Sequence, residues 1–180
     1  MSYAPGIEAA RSERNLFFKE HYASPMPDED QAVFTGLDYF PVEPGWQISA
    51  TIHRTDPHKM DVPSTSGMDS AYTTIGSAEV TVGDSAYDLV MLDDGDGGVF
   101  IPFRDGTCGS ESYAGGRYVA VSTDEQGRSF LDFNTAYNPW CVYDEDFVCP
   151  LPPPTNWIEE PIPAGEKKYR RSTASPDFES

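Results

Sequence analysis

Two groups of polar side chains, each at the end of an apolar run, hold the residues able to do chemistry. The run Val99-Phe100-Ile101-Pro102-Phe103 leads into Arg104, Asp105, Glu111, Tyr113 and Arg117, on a segment punctuated by Gly106, Gly109, Gly115 and Gly116. The run Phe130-Leu131-Asp132-Phe133 leads into Asn134, Tyr137 and Asn138. Strands that end in such loops fix the backbone while the loop presents functional groups. Two guanidinium groups, Arg104 and Arg117, can grip a carboxylate or phosphate bidentately, and the glycines let backbone approach closely. Arg104, Asp105, Tyr113, Arg117, Asn134 and Tyr137 are therefore the candidate substrate-binding residues. Glu111 and Asp132 are the candidate catalytic residues, each suited to act as a general base.

Each group also has a purely structural explanation. A buried salt-bridge network pinning the long loop accounts for the first equally well, since Arg and Asp beside a buried strand need partners wherever they sit. In the second, Asn134 and Asn138 can cap turns before Pro139 while Asp132 accepts loop amides; we read Asp132 as the site residue and Asn138 as the turn residue. Two functional classes follow. One is a small-molecule enzyme or binding protein of unknown substrate, with a polar or anionic ligand. The other is a non-catalytic structural or protein-interaction module with an internal salt-bridge network. A water-filled cleft lined by these side chains favours the first, and a dry, fully paired network the second.

The elements that must position these groups are mostly strands. Period-two alternation in Trp46 to Ile52, Ala78 to Val82 and Tyr87 to Leu92 predicts three of them. Val99 to Phe103, Arg117 to Ser122, Arg128 to Phe133 and Trp157 to Ile162 read as four more, with turns at Gly83-Asp84 and Asp124 to Gly127. His53 to His58 reads as a turn. Ile7 to Tyr22 has partial helical spacing and a stop at Pro25, and a short helical turn is expected over Asp28 to Phe34. The expected fold is mainly β: an antiparallel barrel or sandwich with one N-terminal helix packed on it. Residues 1–167 are expected to form a single globular domain, with helix 7–22 and β body 36–162, and residues 168–180 a flexible tail. Because Arg117 begins the strand after the glycine-rich loop and only a short turn separates it from the next, Arg104, Glu111, Tyr113, Arg117 and Asp132 are expected to converge.

Charge narrows the partners. Thirty acidic residues against twelve Lys plus Arg, in 180 residues, give a net charge of −18. Such a surface repels phosphate backbones and anionic headgroups, so neither nucleic acid nor membrane is expected as a partner, while a protein partner stays open. Scarce lysine with abundant carboxylate suits a chain that must stay hydrated in concentrated salt, and a halophilic host is the favoured explanation. The melting temperature is accordingly expected to rise from low salt to molar potassium chloride as screening relieves self-repulsion; a salt-insensitive melt overturns the halophile reading. No basic region followed by an apolar core opens the chain, and a cytoplasmic location is expected. Cys108, Cys141 and Cys149 show no CxxC spacing and read as reduced thiols. No metal site is expected, since His53 and His58 lie in a predicted turn and Val99 stands where a calcium-loop turn needs glycine. Which cofactor, if any, is used is left open.

The segments Phe34 to Pro41, Phe100 to Thr107, Glu111-Ser112-Tyr113 and Gly116-Arg117-Tyr118 resemble the domain of unknown function family 1684. So do Leu131 to Asn134, Ala136 to Pro139 with Cys141, Cys149 to Pro153, and Ala164 to Lys167. The matching segments run in order from about Asn15 to Lys167. One departure falls at Tyr72 to Gly76, where the family pattern has an arginine shortly before the glycine. The family carries no assigned function, so the resemblance transfers no activity and no catalytic residue.

Overall fold

Inward-facing side chains at every second position define the sheet. Thr74, Gly76, Ala78, Val80 and Val82 are buried on one face of a strand, and Leu89 and Met91 continue that face on the next. In the computed structural model, which describes residues 3–170, six antiparallel strands close into a barrel in sequence order. They are β1 (Gln47–Pro63), β2 (Asp69–Val82), β3 (Ser85–Asp93), β4 (Val99–Phe103), β5 (Arg117–Thr123) and β6 (Ser129–Asp132). The last closes onto the first through Ile48 opposite Leu131. The core joins Leu89, Met91, Ile101, Phe103, Val119, Leu131 and Phe133. Closure leaves no free sheet edge along these pairings.

All three strands predicted from alternation are longer in the structure, β1 and β2 by the most. The residues read as a turn, His53 to His58, lie inside β1, where the register to β2 shifts between Arg54 and His58. Pro57 has no N–H for the ladder, and bulges are where strands accommodate proline. On the facing strand Gly76, with φ +130°, allows the close approach: a Cβ there would sit 2.0 Å from the His53 carbonyl oxygen. Trp157 to Ile162, predicted as a strand, joins no sheet; it makes one bridge, between Arg104 and Trp157, further backbone hydrogen bonds from Ile158 to Arg104 and from Gly106 to Glu160, and buries Ile158 and Ile162 in the core. Its alternation comes from an extended segment plugging the barrel end. Gly165, at φ +75°, lets the same segment turn against the Ala136 and Phe133 carbonyls.

Helix α1 (Tyr3–Glu20) packs against this end, followed by the short α2 (Asp28–Val33). The two helices and the loop from Phe34 form a second core of Phe18, Met26, Phe34, Leu37 and Tyr143. The first residues of the expected tail are packed: Lys168 donates its N–H to the Glu111 carbonyl at 3.0 Å and Tyr169 packs on Tyr143 at 5.1 Å. The remainder of that predicted tail, 171–180, lies outside the described residues. No described helix is long and apolar enough to cross a membrane.

Candidate functional site

Strand parity decides where the predicted site residues point. Arg117 shares a face with Val119 and Val121, so its side chain enters the barrel end, fully buried beside an equally buried Asp105. Arg117 Nη2 donates to Asp105 Oδ1 at 3.1 Å and to the Ile162 carbonyl at 3.0 Å. Arg117 Nη1 donates to the carbonyls of Glu166, at 3.1 Å, and Ala164. Asp105 Oδ2 accepts from the Ile162 N–H at 2.7 Å and the Thr107 hydroxyl at 2.9 Å. The guanidinium lies over Phe103 and Phe40, 5.3 and 5.7 Å from their ring centroids. Both terminal nitrogens have two acceptors each, so they keep no hydrogen for a ligand.

Asp132 points the other way. Val121 pairs with Leu131, so Asp132, one residue on, faces outward with Gln47. Its two oxygens accept the Tyr3 hydroxyl at 2.8 Å each, and Oδ1 accepts the Asn134 N–H at 3.1 Å. Burial, and then the Asp132 carboxylate, push the Tyr3 phenol well above its ordinary pKa. Asn134 exchanges hydrogen bonds with the backbone of Glu43, its Nδ2 donating at 2.9 Å and its Oδ1 accepting at 3.0 Å. This cluster fastens α1 to the barrel.

The remaining residues separate further. The Arg104 side chain stacks on Trp157 at 5.0 Å, Glu111 is exposed beside Lys168, and Tyr113 sits near Cys141, its phenol raised chiefly by burial. Asn138 donates its side-chain amide to the Lys167 carbonyl at 2.8 Å, a turn-fixing role. The expected convergence of Arg104, Glu111, Tyr113, Arg117 and Asp132 is not found: their side chains share no partner, and Arg117 and Asp132 lie on opposite faces of the sheet. The physical reason is an odd register offset: Val121 pairs with Leu131, so Asp132 falls level with Ala120, on the face opposite to Arg117.

A different set of side chains does form a ligand-sized cleft. Phe100 on β4 and Tyr118 on β5 face outward, 4.9 Å apart between ring centroids, and Tyr137 meets Tyr118 edge-on at 5.7 Å. The loop of residues 139–150 folds over them and adds Trp140 and Phe147, themselves 5.3 Å apart, with Cys149 at the floor. The groove has a volume of about 450 Å³. Arg14 of α1 reaches its rim, over the Tyr137 ring at 5.1 Å, with Nε on Glu166 Oε1 at 2.5 Å, and Asp94 supplies the opposite charge. Cys149 Sγ accepts the Cys141 N–H at 3.4 Å; the Cys141 thiol, and to a lesser degree that N–H, hold the Cys149 thiol below the ordinary range. Of the residues singled out in the sequence, only Tyr137 lines this groove. Phe100, Tyr118, Trp140, Phe147 and Cys149 were missed; their one sequence signal is the aromatic density of residues 137–149 beside outward strand positions.

The barrel with its flanking helix and external aromatic groove defines a class of small β protein with a ligand-sized cleft. Residues 32–167 match the family described as protein of unknown function (DUF1684), and the chain belongs to that family. It is also similar to the solution NMR structure of an uncharacterized protein from Haloarcula marismortui, with 37% identity and a TM-score of 0.69 over 91% of this chain and 92% of that one. The curated proteins contain no match.

Proposed function

We propose that the chain is a small-molecule binding protein whose ligand is a flat, largely apolar molecule carrying one polar or anionic group, seated in the aromatic groove. The observation that carries this reading is a cleft of about 450 Å³, within the range that takes small ligands, walled by Phe100, Tyr118, Tyr137, Trp140 and Phe147. Aromatic walls offer stacking surface to a planar ligand, and Arg14 gives the anionic end a place to sit. The Arg117–Asp105 and Asp132–Asn134 groups take a structural part, holding the barrel end and the helix that carries Arg14.

The probe is 8-anilinonaphthalene-1-sulfonate, an aromatic anion, titrated in molar potassium chloride. Its fluorescence is expected to rise saturably, with a protein melt that the probe raises and does not lower. Trp140→Ala, at a rim residue 42% exposed and so free to change without unfolding the chain, is expected to weaken binding about tenfold, or about 1.4 kcal/mol. No binding, or binding unchanged in both Trp140→Ala and Phe147→Ala, overturns the assignment.

A further inference from the structure

A second, smaller cavity lies between α1 and the barrel end, about 80 Å³ in volume, lined by Arg11, Arg14, Tyr39, Asn134 and Glu166. We propose that it binds a small monovalent anion. This site shares Arg14 with the rim of the aromatic groove but adds Arg11 and Tyr39, which the groove lacks, so a chloride response lost in a Tyr39 variant and an aromatic-probe response lost in a Trp140 variant tell the two readings apart.

Three buried donors on its lining residues have no partner: Arg11 Nε, Arg14 Nη2 and the Tyr39 hydroxyl. Buried polar atoms are nearly always paired, so three orphans around one small cavity mark a missing occupant. Their charge says which kind. Arg11 is 8% exposed, and its terminal nitrogens donate only to neutral carbonyls, Phe40 at 2.9 Å and Asn134 at 3.2 Å. Its carboxylate neighbour, Glu8, is exposed and 3.9 Å away. Glu166 cannot balance both arginines, because its Oε1 takes Arg14 Nε while its Oε2 takes the Asn138 N–H at 2.8 Å and the Tyr143 hydroxyl at 2.7 Å. The cavity wall therefore carries two guanidinium charges against one buried carboxylate. Water can accept from the orphaned donors but leaves the second charge to exposed Glu8 and to Asp132 outside the cavity lining, whereas an anion in the cavity meets it directly.

Two further features agree. Burial lowers the Arg11 pKa and pushes the Tyr39 phenol up, so the phenol stays a protonated donor. The volume exceeds the roughly 30 Å³ that one water occupies in the liquid, which leaves room for a halide or a short carboxylate. Because Arg11 and Arg14 belong to α1 and Tyr39 to the segment packed beneath it, the anion bridges helix to barrel. Chain docking then depends on which anion the solution holds as well as on ionic strength.

The test uses the full chain at constant molar ionic strength, with chloride replacing gluconate, an anion too large for the cavity. A saturable rise in melting temperature with chloride is expected in the wild type. Tyr39→Phe, which removes one orphaned donor and adds none, is expected to melt normally in gluconate and to weaken the chloride half-saturation about tenfold. A parallel acetate titration distinguishes a carboxylate-preferring site from a halide site, and either preference supports the proposal. Crystals grown in bromide provide a measurement that needs no variant: an anomalous peak within the cavity is expected. No saturable chloride or acetate response in the wild type, together with no peak, means that the cavity holds only water and overturns the proposal. A full response retained in Tyr39→Phe with the peak elsewhere also overturns it.

Discussion

Replacing Asp105 by alanine is expected to destabilise the protein by about 3–5 kcal/mol, the usual cost of removing one member of a buried ion pair. Both side chains are fully buried, so no solvent screens the charge left on Arg117. The substitution also strands the Ile162 N–H and the Thr107 N–H, which donate to the same carboxylate. Urea unfolding at fixed salt measures the loss. The double variant Asp105→Leu with Arg117→Met is expected to recover part of it, because the uncompensated charge is gone, but not all, because the carbonyls of Ile162, Ala164 and Glu166 lose their donor. Single variants that each cost under about 1 kcal/mol would show that the pair does not hold the barrel end. A ligand-binding role for Arg117 would instead predict lost binding with little lost stability.

This pair also shows how far the sequence can be read. Strands β4, β5 and β6, and the turns at Gly83-Asp84 and Asp124 to Gly127, were legible because each strand is a short run rich in apolar residues bounded by glycine or turn residues. The length of β1 was not. From His53 to Lys59 both faces are exposed, so no alternation exists to be seen, and Pro57 looks like a stop. Trp157 to Ile162 misled for the converse reason: an extended plug also alternates, but its partner is the barrel interior. Composition located the polar clusters correctly and could not orient them, since a shift of one residue moves Arg117 from an outward loop base into the barrel. The groove was the hardest to see. Its walls come from β4, β5 and the loop of residues 137–150, and only the closed register brings Phe100, Tyr118 and Trp140 to one side.

Helix α1 supplies the second large effect. Its barrel-facing positions, buried Arg11 and Phe18 with half-buried Tyr3, Ile7 and Arg14, follow helical spacing, yet three of the five are polar or phenolic, which is why hydrophobic periodicity registered only in part. A stripe of that kind docks by hydrogen bonds at most turns and by apolar burial at few, so the apolar contribution is concentrated. Phe18 is completely buried, edge-on to Tyr143 at 4.6 Å and 6.2 Å from Phe34, while Phe17 is half-buried and stacks on exposed His21 at 4.8 Å. Phe18→Ala is therefore expected to cost about 3–5 kcal/mol, the transfer and cavity terms together. Phe17→Ala, at a site with less to lose, is expected to cost about 1 kcal/mol. Chemical denaturation at matched salt measures both, and amide exchange over residues 3–20 reports whether the helix lifts before the barrel unfolds. Since Arg14 lies over the Phe18 ring at 4.8 Å, a lifted helix also withdraws the cation at the groove rim, and binding of the aromatic anion should weaken in Phe18→Ala more than in Phe17→Ala. Equal melts for the two variants, within about one degree of wild type, would mean that the Arg14 ion pair and the Tyr3 hydrogen bond hold α1 without help from Phe18.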